Sequence, residues 1–316
     1  MGRGMAVKLK KTMQKDRSGT NTILVIGIVL VAVFAAYIAY VVMSDYKEEE
    51  TAAPGTTMSY DVSITGWEIG IGTGTFECSF IGQNAKEYFI KMVMKLEMED
   101  RQIDSTTYGL SSKAVPDDAK KTGTVEMETF DEPKIKTLDI WEYTVDGTAV
   151  KAYVDPTLGI SYREELAMPG YLEVRILTAY DLKTQTSYKE SGSIGKTYKY
   201  GFTYSTYKWN IDMVCVADCA NGQYGVMYDI NDFNGFKRYF LCDGPRGLPV
   251  EAVYNGTNRT LTDTADGEVV TQVFKLTDAT GEEWTFYYEP NSDTVYGISV
   301  GRSEMAAIFK LTDRPK

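Results

Sequence analysis

The side chains whose type and spacing could do chemistry are four cysteines, two acidic residues that precede prolines, and two tandem glycosylation sequons. The cysteines are Cys78, Cys215, Cys219 and Cys242. An even number in a chain that reads as exported favours disulfides over free thiols. The Cys-x3-Cys spacing of Cys215 and Cys219 also admits a metal, but a structural zinc site needs a second tight ligand pair, which Cys78 and Cys242 do not make. Strands are expected over 211–217, 223–230 and 236–242, the first and third running parallel on either side of the second. Cys219 and Cys242 then emerge at one edge, and a Cys219–Cys242 disulfide is expected. Its loop of about 22 residues would contribute on the order of 3 kcal/mol in the chain-entropy model. Cys78 and Cys215 are left as buried thiols or as a second bridge.

Asp155 and Glu289 each precede a proline. Two carboxylates can hydrolyse a glycosidic bond without a histidine. The alternative is that Asp-Pro and Glu-Pro simply open turns, and nothing in the sequence brings the pair together. There is no histidine at all. That removes Ser-His-Asp and Cys-His catalysis and the commonest zinc and iron ligand. No cofactor or metal is expected, and the chain reads as a non-enzyme. The run from Asp229 to Gly235 offers calcium-friendly oxygens, but Phe233 stands where an EF-hand loop needs a ligand, so a hairpin turn is expected instead. Asn255-Gly-Thr and Asn258-Arg-Thr make both asparagines candidate glycan acceptors on a surface loop.

The element that sets where these residues reside is Thr22 to Met43, an uncharged apolar run of transmembrane length. Arg3, Lys8, Lys10, Lys11, Lys15 and Arg17 precede it, and Asp45, Glu48, Glu49 and Glu50 follow it. Basic residues stay on the cytoplasmic side, so a single-pass anchor in the plasma membrane is expected, N-terminus inside and residues 44–316 outside. Cleavage as a secretory leader lacks a small-residue site after the run. Arg17-Ser18-Gly19 resembles a short pilin-type leader, without the acidic residue that bacterial pilins carry at the start of the helix. The net charge is −11. Residues 1–43 hold six cations and one aspartate, +5, which leaves −16 for the exterior. Such a domain repels phosphate backbones, so nucleic acid is excluded as a partner.

Beyond the anchor, 23 tyrosines and 28 glycines, with many Thr and Val, are a β-sheet composition. Residues 1–21 read as a cytoplasmic tail and 44–57 as a stalk. Between Glu87 and Asp100, Ile90, Met92, Met94, Leu96 and Met98 alternate with Lys91, Val93, Lys95 and Glu97, which predicts a strand with its apolar face on a core or lining a pliable lipid cavity. Tyr171 to Leu182 alternates Leu172, Val174 and Ile176 against Glu173 and Arg175. Residues 101–123 read as a polar loop. GTAVKAYVDP at 147–156 and GEEWTFYYEP at 281–290 align without a gap, and each is followed by Gly-Ile-Ser, at 159–161 and 297–299, the second after four more residues. The chain therefore reads as two related β units, 58–182 and 198–316, joined by a polar linker at 183–197.

The stretch YVDPTLGISYREE at 153–165 resembles the Asp-Pro hairpin of lipoprotein-carrier-like half-barrels, the group that includes LolA and the RseB sensor. The resemblance covers about 30 residues of each copy. It implies a curved antiparallel sheet whose concave apolar face holds acyl chains or lipoprotein tails. Those carriers lack this chain's N-terminal helix, and no complete ligand set carries over. The expected protein is all-β: one N-terminal transmembrane helix and a duplicated curved-sheet ectodomain. Its expected function is extracytoplasmic binding at the envelope, of a lipid or other apolar ligand, with lipoproteins or envelope proteins as partners. A pilin-like or surface-layer subunit and a carboxylate-based glycan hydrolase are the alternatives. The acidic, histidine-free exterior suggests an archaeal cell surface.

Overall fold

The computed structural model describes residues 51–66, 70–99, 101–112, 116, 118–145, 147–185, 187–230, 236–301 and 307–315. The expected membrane segment at 22–43 lies outside them. Among the described residues no helix is long and apolar enough to cross a membrane. Their regular structure is all strand, apart from one short 3-10 turn at Ala220–Gly222.

After a short β1 (Thr51–Ala52), nine strands form a first leaf: β2 (Thr57–Gly66), β3 (Gly70–Gln83), β4 (Glu87–Met98), β5 (Gln102–Ser112), β6 (Lys120–Glu128), β7 (Ile135–Val145), β8 (Thr148–Val154), β9 (Ser161–Met168) and β10 (Tyr171–Asp181). β11 (Thr184–Gln185) follows and pairs with β1. A second leaf has nine more: β12 (Thr197–Tyr204), β13 (Tyr207–Cys219), β14 (Tyr224–Ile230), β15 (Phe236–Cys242), β16 (Val253–Thr264), β17 (Gly267–Thr277), β18 (Glu283–Glu289), β19 (Thr294–Val300) and β20 (Phe309–Asp313). All pairings are antiparallel. The first leaf runs β5-β4-β3-β2-β10-β9-β8-β7-β6 across the sheet. The second runs β15-β14-β13-β12-β20-β19-β18-β17-β16. Each strand of the first leaf therefore has its counterpart ten strands later. Among the described residues no ladder joins β5 to β6 or β15 to β16, so each leaf is an open sheet and not a closed barrel. The leaves meet where β3 pairs with β13, at Gln83↔Asp218 and Gly82↔Cys219.

The correspondence extends to register. Tyr153 faces Arg163 across β8–β9, and a bulge then places Val154 opposite Ser161. In β18–β19, Tyr287 faces Gly297 and a bulge places Tyr288 opposite Val295. The buried Tyr60 donates its hydroxyl to the Ser161 carbonyl at 3.3 Å, and the buried Tyr200 donates to that of Val295 at 2.9 Å. Tyr162 donates to Asp131 in the β6–β7 loop at 2.7 Å, and Tyr296 to Asp266 in the β16–β17 loop at 2.5 Å. These contacts correct one detail of the sequence alignment. Tyr162 and Tyr296 are equivalent, six residues after Pro156 and Pro290 respectively, so the two copies align without any insertion. The shared Gly-Ile-Ser is then out of register by four residues and is coincidental.

Three further expectations change. Residues 102–112, read as loop, are β5: their Ser, Thr and Gly content looks loop-like, but eleven residues pair with β4. Thr51–Ala52 of the expected stalk and Thr184–Gln185 of the expected linker pair with each other. In β10 the expected apolar face is the wrong one. Glu173 and Arg175 are fully buried, while Leu172 and Ile176 are 43% and 48% exposed. Alternation gives the period but not which face turns inward, and a one-residue slip exchanges the faces. The register is fixed by the two-residue Pro169–Gly170 turn, with Gly170 at φ 76°, and by pairing of Arg175 with Val62 and Leu177 with Tyr60 on the inward face of β2.

Candidate functional site

Each leaf curls so that its inward side chains meet. In the first, Met58, Tyr60 and Val62 from β2, Phe76 and Phe80 from β3, and Ile90, Met92, Met94 and Leu96 from β4 pack with Leu138, Tyr162 and Leu177 from the other half of the sheet. Ile90, Met92, Met94 and Leu96 are between 1% and 3% exposed, and Met98, at the strand end, is half-buried. The methionine stripe thus faces the leaf's own core.

Inside that core sits a polar cluster. Arg175, Glu173 and Glu164 are all at 0% exposure. Arg175 Nε donates to Glu173 Oε1 at 2.6 Å, and the Tyr171 hydroxyl donates to Glu173 Oε2 at 2.5 Å. Arg175 Nη1 is 3.6 Å from Glu164 Oε2, close enough for attraction and too long for a hydrogen bond. Both Glu164 oxygens, both Arg175 Nη atoms and Thr148 Oγ1 lack hydrogen-bond partners. The guanidinium carbon lies 4.1 Å from the centre of the Phe76 ring. Burial is the main reason the Glu164 carboxyl is pushed up to about 8, against the pull of Arg175. At neutral pH Glu164 is therefore protonated beside the Arg175 cation.

The second leaf treats the same place differently. Register puts Phe309 where the first leaf has Arg175, and Ile298, its partner on β19, where the first has Glu164. Tyr60 pairs with Phe76 and Tyr200 with Ile211, so two residues earlier Gly74 corresponds to Trp209. In place of an ion cluster there is a pocket of about 370 Å³, lined by Phe202, Trp209, Ile211, Ile230, Phe236, Val300, Ala307, Phe309 and Glu282. Phe202 stacks on Trp209 with ring centroids 5.7 Å apart and contacts Phe309 at 5.9 Å. Glu282 is the one ionisable residue of this wall. Its Oε1 lies 3.8 Å from where a Cβ would stand at Gly301, next to Val300.

The other residues singled out in the sequence serve locally. Asp155 Oδ1 accepts from the Thr157 and Leu158 amides at 2.8 and 3.2 Å, and Glu289 accepts from those of Asn291 and Ser292 at 3.0 and 2.7 Å. Each caps its own turn, in a different leaf. Asn255 and Asn258 are exposed on β16, and Asn255 Oδ1 accepts from the Thr257 hydroxyl at 2.6 Å. Of the run from Asp229, residues 231–235 lie outside the described ones.

All four cysteines are free thiols, so the expected Cys219–Cys242 bond is absent, and of the two readings left open for Cys78 and Cys215 the structure has the buried thiols. β13 continues through Cys219 to pair with β3, and a bulge between Cys215 and Ala217 shifts its faces. Cys219 consequently packs between the leaves with Phe89 and Val216, whereas Cys242 lies in the second leaf's core. Cys78 belongs to the first leaf's core. Burial pushes the Cys215 and Cys219 thiols up to about 12 and raises those of Cys78 and Cys242 as well, so all are protonated and unreactive at neutral pH. Among the described residues no group of Cys, Asp and Glu could hold a metal ion.

Sequence reasoning missed the residues that matter in both slots. Arg175 and Glu173 are visible in the sequence as a charged pair on a strand, and alternation alone reads their face as the outward one. Phe202, Trp209 and Phe309 come from three strands and share no local pattern. No family model matches the sequence. No curated protein matches it either. Among solved structures, the chain is similar to one in a crystal structure of MucB in complex with MucA(peri), at 9% identity and a TM-score of 0.25, covering 73% of this chain and 86% of that one. It is also similar to one in the MucA/MucB complex of Pseudomonas aeruginosa, at 8% identity and a TM-score of 0.24, covering 58% and 86% respectively.

Proposed function

We propose that this chain is a membrane-tethered, extracytoplasmic binding protein that holds an apolar ligand in its second leaf. The observation that carries this reading is the pocket of about 370 Å³ walled by eight apolar residues. Small-ligand sites are concave, mostly apolar and upward of roughly 300 Å³. The organisation that goes with it is a cytoplasmic tail at 1–21, a membrane helix at 22–43, the two β leaves beyond it, and glycans on Asn255 and Asn258. The charge asymmetry across residues 22–43 and the exposure of both asparagines support that organisation.

Ala307→Trp tests the site, because an indole at this wall position occupies the space a ligand would take. Binding of n-hexanol to the full chain, read by saturation-transfer NMR in lipid nanodiscs with empty discs subtracted, should weaken at least about tenfold in the variant. Unchanged binding would mean that hexanol sits elsewhere. Protease added to intact cells should digest residues 44–316 and spare the tail; a fully protected C-terminal part would sink the proposed topology.

A further inference from the structure

We propose that the ligand of the second leaf's pocket carries an organic cation, a guanidinium or alkylammonium on an apolar stem, whose charged group takes the place that Arg175 takes in the first leaf. This rests on the binding reading above and adds the chemical class of the ligand.

The argument comes from comparing the two copies. In the first leaf the slot is occupied from within. Arg175 reaches in from β10, lies 4.1 Å from the centre of the Phe76 ring, and pairs with Glu173. An arginine side chain is itself a guanidinium on an apolar stem, so that leaf shows what such a slot accommodates. In the second leaf the cation is gone, because Phe309 stands at the Arg175 position, and no Lys or Arg is in the wall among the described residues. The features that hold a cation are nonetheless present and stronger. Trp209, Phe202, Phe236 and Phe309 offer four aromatic rings where the first leaf offers Phe76. Rings attract cations through their negative faces, and indole does so best. A carboxylate has also been added. Thr148 of the first leaf corresponds to Glu282, two residues before Trp284, just as Thr148 stands two before Val150. Glu282 has neither an ion-pair partner nor a side-chain hydrogen bond among the described residues. A half-buried aromatic cluster beside a carboxylate fits a ligand that is apolar along most of its length and positive at one point. The net charge of −11 raises the local concentration of such cations further.

Three ligands of one chain length separate charge from apolarity: hexylguanidinium, n-hexanol and hexanoate, each titrated against the full chain in nanodiscs by saturation-transfer NMR. Hexylguanidinium should bind about tenfold more tightly than n-hexanol, and hexanoate more weakly than either. In Glu282→Gln the ratio of hexylguanidinium to n-hexanol affinity should collapse to within about twofold. Trp209→Ala should weaken both. Equal affinity for hexylguanidinium and n-hexanol, or a cation preference that survives in Glu282→Gln, overturns the inference and leaves the apolar site standing. If none of the three binds, the pocket reading fails and this one with it.

Discussion

Replacing Arg175 by Leu should cost the protein about 3–5 kcal/mol of stability, the range for breaking a buried ion pair by removing one partner. The cost arises from what is left behind. Glu173 is fully buried and would keep only the Tyr171 hydroxyl as a partner for its charge. Replacing all three ionisable residues, as in the combined variant Glu164→Met, Glu173→Leu and Arg175→Met, should recover most of that loss, since a well-packed apolar cluster of similar volume is often as stable as the ions it replaces. Urea denaturation of the three proteins decides it. A single variant that loses less than about 1 kcal/mol would show that water reaches the cluster.

The same cluster predicts a pH dependence. Glu164 has a folded-state pKa raised from 4.5 to about 8, chiefly by burial. Between those values the folded state holds a proton that the unfolded state has released. Its contribution is therefore fully present below about pH 4.5 and is lost as pH rises towards 8, at up to about 1.4 kcal/mol per pH unit. Glu164→Gln keeps the slot neutral at every pH. Its stability relative to the parent should rise steadily from pH 5 to pH 8 and then level off. A difference that is flat across that window would mean Glu164 is ionised in the fold.

Gly74→Ala should be the most damaging single-methyl substitution, with a loss of ~3 kcal/mol or more, at or beyond the upper end for overpacking. A Cβ there would stand 1.9 Å from the Lys95 carbonyl oxygen, 2.8 Å from the Lys95 carbonyl carbon and 2.9 Å from Leu96 Cα. These are backbone atoms of the neighbouring strand, so no side chain can swing aside and β3 must separate from β4. Gly123→Ala is the matched control, since nothing lies within 4 Å of a Cβ at that position. It should be neutral or stabilise by a few tenths of a kcal/mol through the unfolded chain. Comparable thermal midpoints for the two variants would disprove the close approach of β4 at Gly74. The site matters beyond stability, because its counterpart is Trp209. Where the first leaf uses a glycine to bring strands together around its own ions, the second uses an indole to wall an open pocket.

Much of the architecture could be read from the sequence. Tyr, Thr and Val abundance with period-two alternation specified strands, and Ile90 to Leu96 were assigned to the correct face because their opposite face carries Lys91, Lys95 and Glu97, which water holds outward. The Tyr-x-Asp/Glu-Pro repeat marked equivalent hairpins, since a turn and the tyrosines beside it are contiguous in the chain. Local signals also gave Asp155 and Glu289 their turn roles. Such features need only neighbours within a few residues.

The tertiary structure decided what depends on which strands become neighbours. β5 is a strand because β4 offers eleven partners, although its own residues read as loop. β10 turns its charges inward because a two-residue turn and pairing with β2 fix a register that alternation leaves undetermined. Cys219 and Cys242, at one edge of a simple meander, are parted because β13 runs on to pair with the other leaf. The two slots are assembled from β3, β8, β9 and β10, and from β12, β13, β14, β15, β19 and β20, strands drawn from both halves of each repeat. No short window of sequence contains such a site, because the contacts that create it form only when the ends of each nine-stranded unit come together.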